Sequence, residues 1–171
     1  MSIEHGVALL IFIGRLGDVW STHLLTPTMA LEANPLVRRH RIAMFALGFL
    51  LCLVPYFDVP LGVMVAVPSF LVSASNLSRA WMVRALGEDE IRALTRRAAR
   101  RSTLAHALAL VWGASAFFVL AAVPLWWLAA DDDVAWYFAN GVALYGLIFG
   151  LYATIAFVRI FDRARTEESA A

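Results

Sequence analysis

The sequence predicts an all-α fold, a polytopic bundle of five transmembrane helices, and three observations support that prediction. Of the 171 residues, 61% are hydrophobic and 16% are charged, and the mean hydropathy is +0.73. A water-soluble domain is usually about 45–50% apolar and about 25% charged, so this chain lacks the polar residues to cover a wet surface. The hydrophobic residues form continuous runs rather than an alternating pattern, which favours helices over a β-barrel. Apart from Arg15 and Arg79, the Arg residues lie in every second connection between runs and at the end of the last run. The composition excludes an ordinary soluble enzyme, a disordered protein and a secreted disulfide scaffold.

The elements follow from the apolar runs and from the residues that interrupt them. A bilayer core about 30 Å thick needs about 20 apolar residues in a helix. Asn34 before Pro35 is typical of an N-cap followed by the first residue of a helix. Acidic residues followed by Arg predict a short cytoplasmic amphipathic helix over about 88–101. Within a single domain, 1–171, the five predicted spans cover about 4–26, 41–57, 60–83, 103–130 and 134–161.

The placement of charge predicts the direction of the chain. Three parts of the chain carry clustered Arg: 38–41, 84–101 and 159–165. The connections near residue 58 and over 131–133 carry acidic residues and no Arg. By the positive-inside rule the N-terminus is outside and the C-terminus inside a multi-pass protein of the cell membrane. We expect anionic lipid headgroups, and not nucleic acid, to be the partners of the Arg-rich cytoplasmic loops.

Ionisable residues inside a span are costly and need an explanation. Arg15 and Asp18 are three residues apart in the first span, so they share a helix face and can pair, and Thr22 continues that face. Asn76 in the third span is placed to hydrogen-bond Asp18 across the bundle. Two interpretations stay open: an ion pair that fixes the first helix in the bundle, and a pathway or catalytic site.

One stretch of the sequence resembles a family of small, uncharacterised bacterial and archaeal integral membrane proteins. In that family the first span carries an Asp followed by Ser or Thr, and the next loop reads E-x-N-P. The matching residues here are Asp18, Ser21 and Thr22, then Glu32, Asn34 and Pro35. The resemblance covers about 20 residues. It implies that Asp18, Glu32 and Asn34 act as a unit, and it implies no reaction.

Several residues are candidate metal ligands, although the sequence requires no cofactor. His23, His40 and His106 map near the inner boundary with Glu32, and three imidazoles and a carboxylate can hold zinc. Asp18, Glu32 and Asn34 offer hard oxygen ligands for Mg²⁺ or Ca²⁺. Asp18, Glu32, His23 and His106 are also the candidate ligands or bases of a metal-dependent hydrolase embedded in the membrane.

Three functions are weighed, and the non-enzymatic one comes first. The sequence has no nucleophile–base motif and no phosphate loop, which favours a membrane component or accessory subunit of a larger complex. The alternatives are a small ion or solute transporter that uses Arg15, Asp18 and Asn76 near mid-bilayer, and the metal-dependent hydrolase. Gly146 and Gly150 predict a close helix contact, either within the chain or in a homo-oligomer.

Overall fold

The described part of the chain is almost entirely α-helical. A computed structural model describes residues 2–29, 31–32, 35–129 and 132–169. Within these residues, the first and the three longest later helices are long and apolar enough to cross a membrane, which makes four candidate spans. In chain order the helices are α1 (Ile3–Leu25), α2 (Pro35–Arg39), α3 (Arg41–Phe49), α4 (Val59–Leu86), α5 (Glu88–Arg100), α6 (Leu104–Leu128) and α7 (Asp133–Ser169).

The second predicted span differs in form from the other four. Residues 41–57 do not make one continuous α-helix; α3 has nine residues and continues as a 3₁₀ helix of seven, Leu50–Tyr56. Pro55 lies within the 3₁₀ helix, and because it has no backbone N–H it cannot complete an α-helical ladder there. The turn that follows is tight. The Asp58 side chain caps α4, accepting a hydrogen bond of 2.7 Å from the Leu61 amide.

The segment Arg41–Tyr56 runs antiparallel to α1 over nearly the whole length of both. Near the start of α1, the His5 and Tyr56 rings meet edge to face with centroids 5.4 Å apart. Farther along, the Phe12 and Phe49 centroids are 5.5 Å apart. At the end of α1, Arg41 Nη2 lies 2.9 Å from His23 Nδ1. The two segments therefore cover the same height in the bundle.

The long helices pack in the order α1, α4, α7, α6. Helix α4 contacts both α1 and α7, and α6 packs against α7. Small residues make these contacts close. A Cβ added at Gly141 in α7 would lie 2.8 Å from Val67 Cβ, and one added at Gly146 would lie 2.8 Å from the Ser115 carbonyl oxygen in α6. The predicted glycine contact of α7 is thus made inside the chain.

Charged residues distinguish one end of the bundle from the other. We call the end that carries His23, Arg41, Arg84 and α5 the arginine-rich end. There Ala99 of α5 packs against Phe161 and Ala164 of α7, so α5 lies where the sequence predicted a short amphipathic helix. The outer surface between the ends is strongly apolar: Phe117 and Leu120, in the middle of α6, are 70% and 66% exposed, and most other large hydrophobic side chains are exposed in part.

Candidate functional site: a polar cluster between α1 and α4

An ion pair lies in the middle of α1. Arg15 Nη1 is 3.2 Å from Asp18 Oδ2, and the two side chains are 22% and 19% exposed. This is the pairing that their spacing predicts. The Arg15 side chain runs beside α3, with its Cδ 3.6 Å from the position that a Cβ at Gly48 would take. Within the described residues, the buried Arg15 Nε has no hydrogen-bond partner.

Asn76 of α4 joins this cluster through hydroxyl groups rather than through the carboxylate. Its Nδ2 donates to Ser21 Oγ at 3.3 Å and to Thr22 Oγ1 at 3.2 Å, and all three side chains are buried. The predicted bond from Asn76 to Asp18 is not made; Asn76 bonds instead to the hydroxyls three and four residues beyond Asp18, where α4 meets α1.

The helices approach closely enough for these bonds because small residues face each other. A Cβ at Gly14 would lie 3.0 Å from Ser69 Cβ, and one at Gly17 would lie 3.0 Å from Ser73 Oγ. Ser73 Oγ donates to the Ser69 carbonyl at 2.8 Å and lies 3.4 Å from the Gly14 carbonyl. Hydroxyl-to-carbonyl bonds and small residues are the usual means of joining helices in hydrocarbon.

Only part of the E-x-N-P element lies within the described residues. Glu32 is half-buried and its amide lies 3.4 Å from the Met29 carbonyl oxygen. Asn34, a predicted member of the site, lies outside the described residues. The proposed unit of Asp18, Glu32 and Asn34 therefore stays a prediction.

The candidate metal ligands are dispersed in the described structure. His23 contacts Arg41; because a guanidinium only donates, His23 Nδ1 accepts. The His106 side chain is exposed at the first turn of α6, and the His40 side chain is exposed before α3. Among the described residues, no three His, Cys, Asp or Glu side chains are placed to hold a metal ion. The described geometry gives no support to the zinc or hydrolase interpretations.

Sequence reasoning missed two residues that determine how the helices fit together. Ser115 of α6 is buried, and its Oγ donates to the Gly146 carbonyl at 2.5 Å. Gly141 of α7 lies against Val67 and the Met64 carbonyl of α4. Small residues at helical spacing were the available signal, as they were for Gly146 and Gly150.

The cluster is chemically suited to join helices or to hold a small polar group. It contains an ion pair, an amide and hydroxyls, with no activated nucleophile beside a base among the described side chains. No protein-family model, curated protein or solved structure matches this chain.

Proposed function

We propose that this chain is a multi-pass integral membrane protein with five spans, an outer N-terminus and an inner C-terminus, and that it is a non-enzymatic membrane component. In this role the bundle offers its apolar sides to lipid and to a partner subunit or a second copy. Its Arg-rich inner surface binds anionic lipid headgroups. The likeness of 18–35 to small integral membrane proteins is part of the same proposal.

The height of Arg41–Tyr56 supports a fifth span. Nine α-helical residues rise about 14 Å and seven 3₁₀ residues about 14 Å, because the 3₁₀ helix rises about 2.0 Å per residue. The facing stretch of α1, from His5 to His23, rises about 27 Å. A segment too short by residue count therefore reaches nearly the full thickness of a bilayer core, about 30 Å.

The observation that carries the non-enzymatic role is the internal pairing of the polar cluster. Arg15 pairs with Asp18, and Asn76 bonds to hydroxyls of α1. A buried polar network whose members bond mainly to one another fixes the register of two helices. It leaves little of its chemistry for a substrate.

Paired substitutions at Arg15 and Asp18 test this role. Asp18→Leu leaves the Arg15 guanidinium unpaired in the bundle, and we expect it to lower the free energy of unfolding by about 3–5 kcal/mol. Arg15→Leu together with Asp18→Leu should restore most of that loss, because replacing both members of a buried pair by apolar residues is often neutral. Thermal unfolding of the purified protein in detergent measures both. A double variant no more stable than the single one would contradict a structural pair.

A second candidate function is transport of a small ion or solute, and one observation favours it. Arg15 keeps a buried Nε without a partner in the described structure, and the pair is partly exposed near the middle of the span. Transporters place their sites at this depth. The same double variant separates the two functions. If it folds but proteoliposomes lose an ion flux that the parent protein shows, transport is supported. Absence of flux from the parent protein for all tested ions rejects it.

A further inference from the structure

A cleft at the arginine-rich end contains charges of both signs. It has a volume of about 430 Å³ and lies where α1 and α4 end, beside the turn after α1 and the start of α5. The polar side chains that line it are His23, Thr28, Arg84, Glu88 and Asp89.

The acidic wall of the cleft is set by the junction between α4 and α5. Gly87 separates the two helices with φ +82°, a conformation that glycine adopts at little cost. The Thr28 hydroxyl bonds to the Glu88 carboxylate, which holds the turn after α1 against the start of α5. Asp89 is almost fully exposed, and its closest described cation is Arg92, 3.7 Å away. Because the Asp89 side chain is exposed, its carboxylate is open to a ligand at the mouth of the cleft.

The donors of the cleft lie on α1 and α4. The Arg84 side chain is exposed. His23 accepts from Arg41 through Nδ1, which leaves Nε2 as the ring nitrogen that can donate. A guanidinium and an imidazole N–H together suit a phosphate group.

Two tryptophans place the cleft at the level of lipid headgroups. Trp20 is 58% exposed and Trp81 is 66% exposed. Each lies three residues before a donor of the cleft, Trp20 before His23 and Trp81 before Arg84, so each ring lies one turn deeper on the same side of its helix. Exposed tryptophan rings prefer the boundary between hydrocarbon and headgroups.

We propose that this cleft binds one phospholipid whose headgroup carries both a phosphate and a protonated primary amine. The phosphate binds at Arg84 and His23, and the amine binds at Asp89 and Glu88. The two carboxylates disfavour a headgroup that is only anionic, because they repel it at short range. The inference rests on the proposed function, since it requires this end of the bundle to lie at a bilayer surface.

Lipid binding to the purified full-length protein tests the site. Native mass spectrometry from mixed micelles containing phosphatidylethanolamine, phosphatidylcholine or phosphatidylglycerol counts the lipid retained. We expect one phosphatidylethanolamine, held about tenfold more tightly than phosphatidylglycerol, the gain of about one charge-assisted hydrogen bond. Phosphatidylcholine keeps the positive charge of the headgroup but lacks the N–H donors, so it should bind with intermediate affinity.

Substitutions in the cleft test whether the preference for phosphatidylethanolamine arises there. Arg84→Gln should weaken the binding of all three lipids. Asp89→Asn should remove the preference for phosphatidylethanolamine, while Asp89→Glu should keep it. Arg101→Gln is the matched control, an exposed arginine outside the cleft lining. Equal retention of phosphatidylethanolamine and phosphatidylglycerol by the parent protein would overturn the proposal, as would unchanged binding in Arg84→Gln. Micelles have no inner or outer side, so an incorrect membrane orientation would appear only in labelling of intact cells.

Discussion

Gly141 and Gly113 lie in neighbouring helices but have opposite surroundings. A Cβ at Gly141 would lie 2.8 Å from Val67 Cβ and 2.9 Å from the Met64 carbonyl oxygen. A Cβ at Gly113 would meet nothing within 4 Å. The difference shows which small residues set the distance between helices and which are tolerated on an open surface.

Alanine at these two positions should have effects of opposite sign. We expect Gly141→Ala to lower the free energy of unfolding by about 1–3 kcal/mol, because α4 and α7 must separate to fit the methyl group. Gly113→Ala should raise it by about 0.5–1 kcal/mol, because alanine loses less backbone entropy in a helix. Unfolding by titration from mild detergent into dodecyl sulfate measures both. Equal effects would show that α4 and α7 are not in close contact.

At this scale, contacts between residues of one helix could be predicted from the sequence, and contacts between residues of different helices could not. The interval from Arg15 to Asp18 was enough to predict their ion pair, which the structure contains. The partner of Asn76 depends on how far α4 is shifted along α1, and no local pattern encodes that shift. For Gly141, the spacing of small residues in α7 indicates a close helix contact, but not that α4 is the helix that makes it.

At the scale of elements, apolar runs predicted where the helices lie but not the form of each one. Hydropathy gave the positions of α1, α4, α6 and α7, because a long apolar run has few alternatives to a helix. It does not distinguish α from 3₁₀ hydrogen bonding, so the change of form at Leu50–Tyr56 was not foreseen. Pro55 was the available signal of this change. Because a 3₁₀ helix rises more per residue than an α-helix, the segment covers a given height with fewer residues.

Cross-linking of cysteine pairs tests whether Arg41–Tyr56 covers the height of α1. In a Cys52→Ala background, the pairs His5→Cys with Tyr56→Cys and Phe12→Cys with Phe49→Cys replace facing rings. A short bifunctional thiol reagent should join both pairs. The control Phe12→Cys with Tyr56→Cys should react poorly, because positions 5 and 12 differ in height by about 10 Å. Efficient reaction of the control, or of one facing pair alone, would contradict the antiparallel arrangement.

For the whole molecule, the distribution of Arg and of exposed apolar residues is more informative than any single contact. Apart from Arg15 and Arg79, every Arg of the sequence falls in one of the three clusters that the positive-inside rule assigns to the same side. Contacts between His23 and Arg41, and between Thr28 and Glu88, bring the first two clusters together. Packing of Ala99 against Phe161 and Ala164 adds the third. The fold thus collects at one end the Arg residues that the sequence distributes over three separate parts of the chain.

This collection of charge predicts the sidedness of the protein in a cell. In the Cys52→Ala background, single cysteines at Ser2, Phe57 and Asp132 should react with a membrane-impermeant maleimide in intact cells. Cysteines at Ser102 and Arg165 should react only after permeabilisation, because translocating the clustered arginines is disfavoured. Phe57 is the decisive position for the fifth span: it reaches the outer surface only if Arg41–Tyr56 crosses the bilayer. Protection at Phe57 would reduce the count to four, and labelling at Ser102 would reverse the orientation.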